Sequence, residues 1–291
     1  MREWVKAGHE VNVLPLTVRW DNQFSKLSDG ITRGLPISEP TVIVCGSEKD
    51  LPYSFFIKFQ NRWFNTKIIM IHWWIPYWNP LLYFVTNISV CRYGQKYLMS
   101  RYHIRSSVAY CPVDVEEFRP PEAVVREKKI LCIGNNFKNR KIMGYDHLVN
   151  IIKKVHEKDP EIRIGVIGRN DHKDYPDYIE VKSLSKSEML SEISTSTAVF
   201  FTTTRNLIMN SMQIAMSCGR PVVAFDLEPF REVIVNGVSG FLIPCFDDDA
   251  FSSRLLNIAD NGYDEVGSRA REVIEQKCES SKVAAQILSA L

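Results

Sequence analysis

Ala215-Met216-Ser217-Cys218-Gly219-Arg220-Pro221-Val222-Val223-Ala224, followed by Glu232 and by Asn236-Gly237-Val238-Ser239-Gly240-Phe241-Leu242, is the stretch that decides the fold. Gly219 stands where a helix ends, because a C-cap favours a residue free to take positive φ. Pro221 stops that helix from resuming. Val222, Val223 and Ala224 form a short apolar run of the kind found in parallel strands buried on both faces. A second strand follows through the pair Gly237 and Gly240. Ligands of open α/β sheets bind at the carboxyl ends of such strands, which directs attention to the loop 226–232.

Outward from this stretch the chain alternates strands and helices, the pattern of parallel sheets. In the first half, strands are expected over 11–17, 41–45, 67–72, 89–92 and 107–111. In the second half they are expected over 129–134, 162–168, 178–182, 198–203, 221–226 and 241–243. Helices fit between them at 145–157, 186–195, 206–217 and 247–259, and 263–291 reads as one or two closing helices. The segment 112–128, with Pro112, Pro120, Pro121 and many charges, suits a linker. The expected organisation is α/β, two Rossmann-like domains: 1–111, a linker at 112–128, and 129–291.

The 291 residues agree with two domains of ordinary globular composition, 45% hydrophobic and 24% charged. A formal charge of +2 argues against a nucleic-acid partner. The seven cysteines are odd in number and scattered without a C-x-x-C pair, which favours small buried hydrophobes in a reducing compartment over disulfides or zinc. No His/Cys/Asp cluster has metal-ligand spacing, so no metal is expected. No signal peptide is read at the start. No run reaches the ~18 apolar residues of a membrane span.

Residues 215–242 closely resemble the donor-binding half of the GT-B glycosyltransferases, family 4, group 1, which retain anomeric configuration. Val108-Ala109-Tyr110-Cys111-Pro112-Val113-Asp114-Val115-Glu116-Glu117-Phe118-Arg119-Pro120 resembles the segment that joins the two domains there. The resemblance begins at Gly8-His9-Glu10-Val11, with 1–7 as the family's first helix. The family's preceding strand and glycine-rich loop are not matched. Either the amino-terminal domain is truncated or another segment fills that place.

The resemblance implies two domains facing a cleft and a nucleotide-sugar donor, such as a UDP- or GDP-sugar, with no further cofactor. The acceptor would be a sugar or a lipid-linked sugar. A cationic clamp on the donor diphosphate falls in Gly134-Asn135-Asn136-Phe137-Lys138-Asn139-Arg140-Lys141-Ile142-Met143-Gly144. Lys138, Arg140 and Lys141 are its candidates, with Asn135 where the family has arginine. A solvated basic loop is the alternative. Counting back from Gly219, the family's two glutamates fall on Ile214 and Asn206. Asn206 retains hydrogen-bonding capacity toward a sugar; Ile214 has none. Gln213 serves the nucleotide in a shifted register. Glu232 matches the acidic turn near the donor, with Arg231 beside it as another cation; a helix N-terminal acid is the plainer reading.

His72 ends the apolar run Ile68-Ile69-Met70-Ile71, where family members often carry a histidine facing the acceptor. A satisfied structural histidine is the other reading. Trp73, Trp74, Tyr77 and Trp78 follow directly; core packing suits the cluster, and sugar stacking is a further reading of Trp73 and Trp74. Upstream, Phe55, Phe56, Phe59, Trp63 and Phe64 alternate with Lys58, Arg62 and Lys67. That pattern suits either a helix lying on a membrane or an aromatic core helix. Hexosyl transfer by a cytoplasmic or peripheral inner-face enzyme is the leading expectation. A non-catalytic binding or scaffold relative, or an epimerase on the same fold, are the alternatives.

Overall fold

The computed structural model describes residues 65–72, 79–120, 126–138, 141–206 and 210–290, together with Lys6, Gly8, 11–13, 31–33 and 42–45. The expectations for 55–64, for Trp73, Trp74, Tyr77 and Trp78, and for Arg140 lie outside these residues. The chain divides into two compact units: Met1–Pro112 with Ser280–Leu291, and Val113–Glu279.

In the first unit the strands are β1 (Val11–Val13), β2 (Ile31–Arg33), β3 (Val42–Cys45), β4 (Lys67–His72), β5 (Thr86–Ser89) and, after helix α1 (Arg92–Tyr102), β6 (Ser107–Val108). Among the described residues, β1 pairs with β2, and β3-β4-β5-β6 form a separate sheet; all pairs are parallel. Ile68, Met70, Leu82, Leu98 and Ile104 form a buried cluster on which this unit closes. The strand expected at 89–92 is a correction. It lies at Thr86–Ser89, and α1 starts at Arg92, where the Cys91 sulfur accepts from the Gly94 amide at 3.3 Å. Thr86 and Asn87 interrupt the apolar run, so the strand was not visible in the hydrophobic pattern. Asn87 is nevertheless buried, because its side chain is hydrogen-bonded on both sides.

The second unit runs through β7 (Lys129–Ile133), α2 (Tyr145–Lys158), β8 (Arg163–Ile167), β9 (Ile179–Lys182), α3 (Lys186–Thr195), β10 (Ala198–Phe201), α4 (Asn210–Ser217), β11 (Val222–Phe225), β12 (Phe241–Ile243), α5 (Asp248–Asn261) and α6 (Asp264–Lys277). The sheet order is β12-β11-β10-β7-β8-β9, with every pair parallel. Strand order reverses between β7 and β10, so their carboxyl ends flank the switch point of the sheet. Helix α2 buries Leu148, Ile151, Ile152 and Val155, the i, i+3, i+4, i+7 stripe of an amphipathic helix. Helix α3 opens with a capping box between Ser185 and Glu188.

The last helix, α7 (Ser280–Ser289), groups with the first unit, which corrects the assignment of 129–291 to one domain. Val283 and Ile287 give α7 a buried face. Periodicity reveals such a face but not which body covers it.

Gly219 takes φ +66°, as a C-cap after α4 requires. A Cβ on Gly267 of α6 would stand 2.1 Å from the Gly219 carbonyl oxygen. The α4–α6 crossing therefore depends on a bare glycine. Gly267→Ala should lower the stability of the second unit by about 1–3 kcal/mol, read as a lower urea midpoint with an unchanged slope.

Candidate functional site

The loops that leave β7, β8 and β10 are joined to one another by side chains. Asn135 Oδ1 accepts from the Arg169 amide at 2.6 Å, and Asn170 Oδ1 accepts from the Phe137 amide at 3.2 Å. Asn170 Nδ2 donates to the Gly134 carbonyl at 2.8 Å. Asn135, standing where the resemblance places an arginine, thus serves as a loop clamp.

Three consecutive threonines make the second junction. Thr202 Oγ1 donates to the Met143 carbonyl at 3.0 Å and Thr203 Oγ1 to the Ile142 carbonyl at 2.7 Å. The Thr204 amide also reaches the Ile142 carbonyl, at 3.0 Å. Gly144 follows with φ +69°, and a Cβ there would lie 1.9 Å from the Thr202 carbonyl oxygen. The start of α2 is thereby pinned beside the carboxyl end of β10. Gly144 is the N-cap of α2, and no described side chain caps it. Among the described residues, no side chain meets the first backbone N–H groups of this 14-residue helix at the switch point.

The candidate cations separate into paired and unpaired. Lys138 Nζ lies 2.5 Å from Asp174 Oδ1. Arg231 grips Asp226 bidentately, at 2.6 and 2.8 Å. Both charges are therefore answered locally. Lys141 is exposed and makes no ion pair among the described residues. Arg169, after β8, and Arg205, after β10, are in the same state. The sequence reading missed these two. Their signal was available: each follows an apolar strand that flanks or neighbours the switch point.

The remaining candidates fall as follows. Asn206 is half-buried in the loop after β10, ahead of α4 rather than inside it; 207–209 lie outside the described residues. Ile214 is half-buried on α4. Gln213 corrects an expectation. It is fully buried, with Nε2 directed at Cys278 Sγ at 3.5 Å and Oε1 unpartnered. It faces the α4–α6 packing, so it is not positioned to meet a nucleotide. Glu232 ends a short turn, Phe230–Glu232, and its carbonyl accepts from Lys277 Nζ at 2.5 Å.

His72, in the first unit, is buried at the end of β4, with Nε2 2.8 Å from Asn87 Oδ1. Asn87 Nδ2 already donates to the Leu82 and Val85 carbonyls, so Oδ1 must accept and His72 Nε2 carries the hydrogen. The structural reading of this nitrogen is the one the geometry favours.

The sequence family described as "Glycosyl transferases group 1" matches residues 127–261. The phosphatidyl-myo-inositol mannosyltransferase of Mycolicibacterium smegmatis is 26% identical over 172 residues, covering 55% of this chain and 44% of its own length. Among solved structures, S. aureus TarM in complex with fondaparinux, alpha-GlcNAc-glycerol and UDP aligns at a TM-score of 0.73 with 17% identity, over 86% of this chain and 55% of TarM. Anabaena HepE in complex with UDP and glucose aligns at 0.71 with 15% identity, over 86% of this chain and 78% of HepE. The chain thus spans about half the length of the mannosyltransferase and of TarM. The match to the group 1 glycosyltransferase family thus falls within the second unit, and the fold of the chain is that of GT-B glycosyltransferases.

Gln213 supplies a test of which residues belong to the site. A buried amide with one unpartnered atom destabilises the fold. Gln213→Met should leave stability unchanged or raise it by about 1 kcal/mol, and should not alter nucleotide binding. Loss of nucleotide affinity at unchanged melting temperature would return Gln213 to the site.

Proposed function

We propose that the chain transfers a hexose from a nucleoside-diphosphate sugar to a sugar or lipid-linked acceptor, with retention of configuration. The single observation that carries this reading is the start of α2 at the switch point, which no described side chain caps, with Lys141, Arg169 and Arg205 on the loops after β7, β8 and β10 and in no ion pair among the described residues. The group 1 domain at 127–261 and the UDP-bound relatives support it.

The chemistry follows from where charge develops. Breaking the bond between the sugar's anomeric carbon and the diphosphate oxygen leaves negative charge on the leaving group. Helix N–H groups and fixed cations stabilise that charge more than the ground state. The acceptor hydroxyl forms the new bond, and its proton passes to the departing phosphate oxygen. Asn206, in the loop after β10, is the group proposed to hydrogen-bond the sugar, and Glu232 borders the donor loop. His72 is the group proposed on the acceptor side, with its Nε2 committed to Asn87.

Calorimetry with UDP, GDP and ADP tests the reading. One of them should bind. Lys141→Ala and Arg205→Ala should each weaken it by about 1–3 kcal/mol, because each removes a charge-assisted contact. Lys138→Ala and Arg231→Ala should change binding by less than about 0.5 kcal/mol, in keeping with exposed cations already answered by Asp174 and Asp226. The opposite ranking would move the clamp, and no binding of any nucleotide would remove the donor site from this chain.

A further inference from the structure

A groove of about 530 Å³ runs beside β12 and α5 and is bordered also by Tyr263. Strand β12 is the last of its sheet among the described residues, with β11 and β10 between it and β7. An open sheet edge can recruit another strand. This edge offers little to one. The Leu242 amide donates to Asn236 Oδ1 at 3.0 Å, and Pro244, two residues on, has no N–H. The groove is thus better suited to a small molecule than to an added strand.

Arg254, half-buried on α5, supplies the charge of the groove. Its guanidinium carbon stands 4.5 Å from the centre of the Phe241 ring, and it makes no ion pair among the described residues. The positions one turn away on α5, Ala250, Phe251, Asn257 and Ile258, bring no carboxylate. None of the described residues that line the groove is acidic. A guanidinium held over an aromatic face without a counter-charge keeps its planar fork of donors for a carboxylate or a phosphate. Neutral donors stand around it. Asn236 Oδ1 is taken by the Leu242 amide, and Asn257 Oδ1 accepts from the Tyr263 hydroxyl at 2.7 Å, so each amide keeps its Nδ2 group to donate. Ser253, exposed on α5, adds a hydroxyl. The Tyr263 and Phe241 rings pack with centres 5.2 Å apart and planes at 83°. Tyr263 holds that place at φ +133°, a conformation few residues other than glycine adopt.

We propose that this groove binds a small acidic sugar, a pyranose bearing a carboxylate or a phosphate, at a site separate from the start of α2. Arg254 takes the acid group bidentately. Asn236, Ser253 and Asn257 take hydroxyls, and the Tyr263 ring borders the apolar side of the sugar. A neutral sugar leaves the guanidinium unanswered, and an acid without hydroxyls leaves the amides unused. Such a site needs neither a nucleotide nor hexosyl transfer.

Saturation-transfer NMR on the full chain tests this, with glucuronate and glucose 6-phosphate as probes and glucose as the neutral control. At least one acid should receive saturation at millimolar concentration, and the one that responds identifies the group Arg254 takes. Glucose should bind about tenfold more weakly or not at all. An excess of UDP should leave the signal unchanged. Arg254→Met keeps an apolar stem over Phe241 and removes the charge, so it should weaken binding roughly tenfold or more. Asn257→Asp keeps an acceptor for Tyr263 and sets a carboxylate three residues from Arg254, which should weaken binding to a similar extent, about tenfold. Asn257 is exposed, and its variant should melt close to the parent. No signal from either acid overturns the proposal. So does undiminished binding by Asn257→Asp or by folded Arg254→Met. Displacement by UDP overturns it as well, since the groove would then belong to the nucleotide.

Discussion

A Cβ at residue 144 would stand 1.9 Å from the Thr202 carbonyl oxygen, so the chain after β7 and the chain after β10 can meet only because residue 144 is glycine. The rest of the site depends on that approach. Thr202 and Thr203 spend their hydroxyls on the Met143 and Ile142 carbonyls and hold the loop in place. The loop in turn delivers the first turn of α2 to the point where strand order reverses. The two asparagines, Asn135 and Asn170, do the same for the loops after β7 and β8. Polar side chains at this edge are largely occupied in positioning the main chain. The main chain and a few cations without an ion pair among the described residues are what remain for a ligand.

Most of the second unit was legible in the sequence because its determinants are local. Gly219 and Pro221 mark a helix end, and the apolar runs at β7, β10 and β11 are fully buried. Strand ends expected at 134, 168, 203 and 226 stop at Ile133, Ile167, Phe201 and Phe225. The following residues are those whose backbone or side chains turn to the neighbouring loop. The first unit was less legible. Asn87 lies inside a strand because His72, Leu82 and Val85 together satisfy its side chain, and no periodicity encodes that arrangement. Helix α1 was missed altogether; its sequence is polar and aromatic, with Leu98 as its buried residue.

The sequence directed attention to the loops after β7 and β11 but did not show which of their side chains are held by other residues. Lys138 and Arg231 looked as available as Lys141, because a sequence does not show that Asp174 and Asp226 come to meet them. Arg169 and Arg205 passed unnoticed for the converse reason. Neither sits in a basic cluster, and their significance comes from the strands they follow. Gln213 looked like a displaced ligand contact and is a packing residue between α4 and α6.

The central claim is that the amino terminus of α2 receives a nucleoside diphosphate. A crystal structure of the chain soaked with the nucleotide that binds best tests it most directly. The account predicts diphosphate oxygens about 2.7–3.2 Å from backbone nitrogens of the first turn, residues 145–147, with Lys141 and Arg205 turned toward them. Density for the nucleotide elsewhere in the second unit, for example in the groove of about 530 Å³ bordered by Leu242, Arg254 and Tyr263, would contradict it.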